Sequence, residues 1–233
     1  MWFDVCSGQE GRGQVIVDEL LRFSQSAFSA TAVKLTWLQN SGECRDAGEL
    51  GIGREFLDDY AERGMKCDPL GPKVLVAEPE KVHSLLDLQM GCDLQLELNN
   101  YMAFLRRYGY SDELDLVFSD GGMPIAALTI LYCQKRFALD VPNFCALRRF
   151  LHHAISNHPY ARKRARYLAY SERFKLTQRE AEVVELIREG ASNADIAEYL
   201  EIGVATVKTH VVRVLDKVCA ESRSALIAIT NQL

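Results

Sequence analysis

The chain has 233 residues, 48% of them apolar, enough for one mid-sized domain and a small second one. Its formal net charge is −5, so any contact with nucleic acid must rest on a local basic surface rather than on overall charge. The seven cysteines are dispersed and form no CxxC pair, which excludes a disulfide framework and fits a reducing, cytoplasmic setting. No signal peptide opens the chain and no apolar run reaches transmembrane length, so no membrane partner is expected.

Taken in chain order, Val15, Ile16, Leu20, Leu21 and Phe23 recur at helical spacing and predict a helix over 15–28. Residues 32–38 alternate between Val33, Leu35, Trp37 and Lys34, Thr36, the pattern of a strand, and Gln39-Asn40-Ser41-Gly42 reads as a turn. Ile52 to Arg63 and Glu97 to Tyr108 read as helices, the second with Tyr101, Phe104, Leu105 and Tyr108 on one side. The clearest β signal follows: Leu114 to Phe118, then Ser119-Asp120-Gly121-Gly122, then Ile125 to Tyr132, a hairpin. A long helix starts near Pro142, and His158-Pro159 interrupts it. Residues 161–173 are expected as a basic linker, helical or not, holding Arg162, Lys163, Arg164, Arg166 and Arg173. The order helix, strands, helices, hairpin, long helix predicts an α+β domain over 1–160, an antiparallel sheet flanked by helices.

Little in this first domain points to catalysis. His152, His153 and His158 follow Cys145, but adjacent histidines point apart on a helix and do not make a metal site. Gly11-x-Gly13 and Gly51-x-Gly53 are too short for phosphate-binding fingerprints. The first strand ends in Trp37-Leu38-Gln39-Asn40, without the acidic pair a phosphoreceiver requires. With no Ser/His/Asp or Cys/His arrangement in view, neither an enzyme nor a cofactor is expected.

Residues 174–233 carry the most explicit signals. Thr177 and Glu180 form a capping box, Val183, Val184, Leu186 and Ile187 give an apolar face, and Gly190 ends the helix. Ser192 and Asp195 start a second helix, with Ile196, Ala197 and Leu200 inward. Glu201-Ile202-Gly203 is a tight turn in which Gly203 is expected to take the conformation that other residues resist. A third helix over 204–218 places Val204, Val207, Val211, Val214, Leu215 and Val218 inward and Thr206, Lys208, Thr209, Val212 and Arg213 outward. Ser222 caps a fourth helix bearing Leu226, Ile227 and Ile229.

The order Leu176-Thr177-x-Arg179-Glu180, Gly190-x-Ser192-Asn193-x-x-Ile196-Ala197-x-x-Leu200, Thr206-Val207-Lys208-x-His210 and Arg223 resembles the LuxR-type helix-turn-helix family. The resemblance implies an all-α four-helix domain whose third helix enters the major groove of double-stranded DNA, with homodimers on two-fold symmetric sites. Thr206 and Lys208 then anchor phosphates, Thr209 and Val212 face bases with Arg213 beside them, and Ser192 and Asn193 join the contact surface. Two positions depart from the family: Gly203 stands where a Ser-like cap is usual, and Val212 where many members are polar or basic.

In front of such a module, the first domain resembles the GAF/PAS-like sensor domain of acyl-homoserine-lactone receptors, used in quorum sensing. The anchor is Phe56-x-x-x-Tyr60 followed by Asp68-Pro69-Leu70. In those receptors a Trp, a Tyr and an Asp-Pro pair stand in this order, and the Asp bonds the ligand amide. Here Phe56 takes the place of the Trp, the gap to Asp68 is one residue shorter, and His83 lies near the second pocket Trp. The resemblance implies Trp37, Phe56, Tyr60 and Asp68 as ligand-binding residues and a small apolar signal, such as an acyl-homoserine lactone, as the ligand. A ligand-independent domain that serves dimerisation or a protein partner remains open.

Overall fold

In the computed structural model the described residues are 2–38, 44–78, 82–88, 95–134 and 141–232, with side chains described from residue 11 onward except at 86, 87, 95, 141 and 142. The expected turn at Gln39–Gly42 lies outside them. The chain forms two compact units, one over Glu10–His158 and one built chiefly from Pro159–Leu233.

Helix α1 spans Trp2–Ala27 and buries Val17, Leu20, Leu21 and Ser24, an i, i+3, i+4, i+7 stripe. Of the apolar residues that suggested this helix, Val15, Ile16 and Phe23 face solvent instead. Strands β1 (Ala32–Leu38) and β2 (Cys44–Leu50) follow. Next come α2 (Arg54–Asp59), a π-helical turn at Tyr60–Gly64, α3 (Met65–Cys67) and α4 (Pro72–Ala77). Then β3 (Val82–Ser84), α5 (Leu85–Leu88) and α6 (Gln95–Arg107) lead to the hairpin β4 (Asp112–Asp120) and β5 (Met123–Tyr132). The unit ends with α7 (Val141–Ser156). The strands pair antiparallel in the order β2-β1-β5-β4-β3. Gly121 and Gly122, with φ of +56° and +78°, turn the hairpin between Asp120 and Met123 as a two-residue loop of its kind requires.

Pleating divides the sheet into two faces. Leu35, Trp37, Leu114, Leu116, Phe118, Leu128 and Ile130 are buried on one side. There α7 packs on β4, with the rings of Phe118 and His152 6.5 Å apart and those of Phe28 and Phe144 6.3 Å apart. The opposite face carries Glu113, Asp115, Ala127, Thr129 and Leu131, lying toward Phe56, Leu70 and Tyr101. Strand β2 was not expected from the sequence: its residues are mostly polar and exposed or partly exposed, and pairing with β1, not composition, makes it a strand.

The second unit holds α8 (Pro159–Phe174), α9 (Gln178–Arg188), α10 (Asn193–Tyr199), α11 (Val204–Val218) and α12 (Arg223–Thr230). The segment 161–173 is thus the body of a helix, anchored by the fully buried Tyr170 in the core with Val183, Ile187, Ile196, Val207 and Val214. Both capping boxes form: Thr177 with Glu180, and Ser192 with Asp195. Gly190 closes α9 at φ +88°. The turn before α11 differs from expectation. Gly203 has φ −70°, open to any residue, and serves as the N-cap without a side-chain hydrogen bond, while the left-handed residue is Glu201 at φ +53°. Among the described residues no helix is long and apolar enough to cross a membrane.

Candidate functional site

Helix α11 has one buried and one open side. Val207, Val214 and Val218 are buried and Val211 and Leu215 half-buried, which uses the inward stripe completely. Val204, expected inward, lies in the first turn and is 43% exposed. Thr206, Lys208, Thr209, Val212 and Arg213 are all exposed, Val212 by 66%. At 100° per residue, Ala205, Thr209 and Val212 line up opposite the buried valines, with Lys208 on one flank and Thr206 and Arg213 on the other. The Thr209 hydroxyl donates back to the Ala205 carbonyl at 3.1 Å, so the centre of the stripe presents mostly methyl groups.

Ser192 and Asn193 are placed differently. The Ser192 hydroxyl accepts from the Asp195 amide at 3.3 Å as the cap of α10, and Asn193 Oδ1 accepts from Arg223 Nη1 at 3.4 Å. Arg223 also donates to the Ala191 carbonyl, tying α12 to the loop before α10. The basic segment on α8 is not wholly available for binding either. Arg166 turns inward and holds Glu185 through Nε at 2.9 Å and Nη2 at 2.5 Å, joined by the Tyr170 hydroxyl at 2.8 Å and Arg188 at 2.7 Å. Burial acts to raise the Glu185 carboxyl, but the bonds and charge of Arg166, with Tyr170 and Arg188, hold it below the usual range. Glu180 is also held low: burial opposes, and Lys217 at 2.6 Å and the Thr177 cap prevail.

The α/β unit has a partly open cavity of about 110 Å³ between the open face of its sheet and the π-helical turn. Gly64 lets the chain pass close there: a Cβ would meet the Phe104 ring at 2.9 Å and Tyr60 at 2.6 Å. The turn brings the Tyr60 hydroxyl 2.6 Å from Asp68 Oδ2, while Asp68 Oδ1 accepts from the Leu70 amide at 2.8 Å. Phe56 stacks with Tyr60 at a 6.0 Å ring separation. Three of the four residues expected to bind a ligand therefore converge. The fourth does not. Trp37 points to the other side of the sheet, where its ring lies 4.8 Å from that of His158, because odd and even positions of β1 face opposite ways.

The other polar groups of this cavity are not among the residues expected from the sequence. Glu113 and Asp115 alternate with Leu114 and Leu116 along β4, and both are buried. The signal was present in that alternation, which reads as a polar face turned to water until α2–α4 and α6 cover it. The Tyr101 hydroxyl donates to Glu113 Oε2 at 2.7 Å, and Thr129, opposite Asp115 in the sheet, donates to its Oδ1 at 2.5 Å. Asp115 Oδ2 is buried with no hydroxyl, amide or cationic donor, and the Asp115 carboxyl bonds to that of Glu113 beside it. Burial pushes Asp68 up to about 6 and Asp115 to about 7, each against its hydrogen bonds. Burial, with the neighbouring Asp115 and Asp68, carries Glu113 well above the carboxylate range. Lys34 also lines the cavity, and its ammonium pairs with Asp46 at 2.8 Å. His152 and His158 each meet a backbone carbonyl, of Ser119 at 2.7 Å and of Gly13 at 3.0 Å.

Residues 175–230 match the family model of bacterial regulatory proteins, luxR family. The chain is 44% identical over 55 residues to the monoamine regulon transcriptional regulator of Klebsiella aerogenes, 24% of each protein. It is 45% identical over 49 residues to the transcriptional regulatory protein LiaR of Bacillus subtilis, 21% of this chain and 23% of that protein. The chain thus spans about a quarter of the length of these curated relatives. The crystal structure of Escherichia coli SdiA aligns over 99% of this chain and 95% of its own, at 15% identity and a TM-score of 0.47.

Proposed function

Residues 175–230 form a domain of the luxR family of bacterial regulatory proteins, and from that premise we propose that the chain is a DNA-binding transcription regulator with a ligand-sensing α/β domain. The observation that supports it best is the open face of α11, where five polar or small apolar side chains stand clear of a helix buried on its other side. In this reading α11 lies in the major groove. Lys208 and Thr206 hold phosphates from opposite flanks, Arg213 lies beside Thr206, and Thr209 and Val212 offer methyl groups to base edges, the thymine methyl above all. Ser192 and Asn193 contribute through the first turn of α10 rather than through free side-chain groups.

One such helix spans too few base pairs for a specific site, so the regulator acts as a homodimer on two half-sites about ten base pairs apart. The ligand, bound among Phe56, Tyr60 and Asp68, changes DNA binding through its different affinity for two arrangements of the dimer. A second reading, in which the α/β domain serves for dimerisation or a protein partner, draws on exposed apolar residues. Val15, Ile16 and Phe23 on α1 and Phe150 on α7 face solvent, and the rings of Phe23 and Phe150 are 4.9 Å apart.

Selection of bound sequences from a random DNA pool by the full chain tests the proposal. Enrichment of a two-fold symmetric site is expected, with the Lys208→Ala variant binding all sequences more weakly and its salt slope reduced by about one. No enrichment, and an unchanged affinity and slope in the variant, overturns it.

A further inference from the structure

The small cavity of the α/β domain is lined by aromatic rings and by three carboxyls, two of which accept hydrogen bonds from those rings' hydroxyls. Most of their oxygens have donors. Tyr60 and the Leu70 amide serve Asp68, Tyr101 serves Glu113 Oε2, and Thr129 serves Asp115 Oδ1. Oδ2 of Asp115 has no hydroxyl, amide or cationic donor, only the neighbouring Glu113 carboxyl to share a proton with, although the residue is 1% exposed and borders the cavity. A buried carboxylate oxygen without a donor costs free energy that a folded chain retains only where something supplies the missing proton or charge. Among the described residues, no Lys, Arg or His forms an ion pair with Asp68, Glu113 or Asp115. Nor do three of the His, Cys, Asp or Glu side chains among them converge as a metal site requires. The acceptors are spread along a wall instead of gathered around one point.

On the reading that this domain senses a ligand, we infer that the ligand is a compact organic cation, a primary amine whose ammonium group donates to Asp115 Oδ2 and the neighbouring Glu113 carboxyl. Three N–H donors suit a wall of acceptors as a quaternary ammonium, with none, does not. Phe56, Tyr60 and Tyr101 give the cation ring faces and give an attached apolar group a wall to pack on. Size adds a limit. At about 10–15 Å³ of such space per water-sized group, 110 Å³ holds roughly seven to eleven non-hydrogen atoms. An arylalkyl or short alkyl amine fits that space. The raised carboxyls are consistent with this, since an arriving ammonium takes over the role of the proton that Glu113 and Asp115 hold between them.

Thermal melts of the full chain at neutral pH test the inference, with phenethylamine and butylamine hydrochlorides, their neutral counterparts phenethyl alcohol and butanol, and N-butanoyl homoserine lactone. The amines are expected to raise the melting temperature and the alcohols to leave it nearly unchanged. In Asp115→Asn, which keeps an acceptor for Thr129, amine affinity measured by calorimetry falls about tenfold or more while the unliganded protein melts no lower. Glu113→Gln supplies the same test should that variant misfold. Equal stabilisation by amine and alcohol, or full amine affinity in both variants, overturns the cation. Stabilisation by the lactone or the alcohols alone overturns the cation and leaves a ligand-sensing domain standing. Stabilisation by none of the probes overturns the cation and removes support from the sensor reading as well.

Discussion

Glu180 and Glu185 in the helical domain are as deeply buried as Glu113 and Asp115 in the α/β domain. The first two have Lys217, Arg166 and Arg188 within 2.7 Å and sit below their usual pKa range. The other two have only neutral hydroxyl donors and each other's carboxyl, and sit above it. Burial acts alike in both places, so the partner decides whether a buried acid closes a structure or leaves it open to a ligand. In the helical domain the acids lock α8, α9 and α11 together. In the α/β domain they leave a demand that the fold does not meet.

The largest change expected comes from making the first region resemble the second. Arg166→Met leaves Glu185 buried with one cation fewer, and should cost the helical domain about 3 kcal/mol, read from the urea midpoint of the full chain. A loss below a few tenths would mean that Arg188 and Tyr170 suffice, and would weaken the contrast.

The pH response should differ in sign. Asp68 and Asp115 bind protons in the folded state at a pH where the unfolded chain has lost them. Stability of the α/β domain should therefore be greatest at the acid side and fall as pH rises from about 4, the ordinary Asp range, to about 7. Lys34, Tyr60, Tyr101 and Glu113 face the same cavity and shape that curve. Glu180 and Glu185 work the other way, and the helical domain should weaken as pH falls through the ordinary Glu range. Hydrogen exchange followed on β4 and β5 peptides and on α9 peptides separates the two, and Asp115→Asn should flatten the first curve only.

Two smaller effects test how far the helical domain rests on local signals. Gly190→Ala forces a side chain to φ +88° and should cost about 1 kcal/mol in thermal melts. Gly203→Ser adds a capping hydroxyl at a compatible φ of −70°, where a Cβ meets only Thr206 Oγ1 at 3.8 Å. It should gain a few tenths of a kcal/mol. A loss at Gly203 would show that the turn needs glycine after all.

The sequence by itself determined what depends on neighbours three or four residues apart. The capping boxes at Thr177–Glu180 and Ser192–Asp195, the glycine end of α9, the outward face of α11 and the Gly121–Gly122 hairpin all form as their local patterns require. The order Phe56, Tyr60, Asp68 also held enough to place three cavity residues. Tertiary structure decided the rest. It made a strand of the polar segment Cys44–Leu50, turned Trp37 away from the cavity, put the left-handed residue of the turn at Glu201, and drew Arg166 inward. It also buried Glu113 and Asp115 on a face that alternation alone assigns to water. A helix cap closes a hydrogen bond within one turn of chain, whereas which side of a strand is covered depends on segments tens of residues away, and no local pattern carries that information.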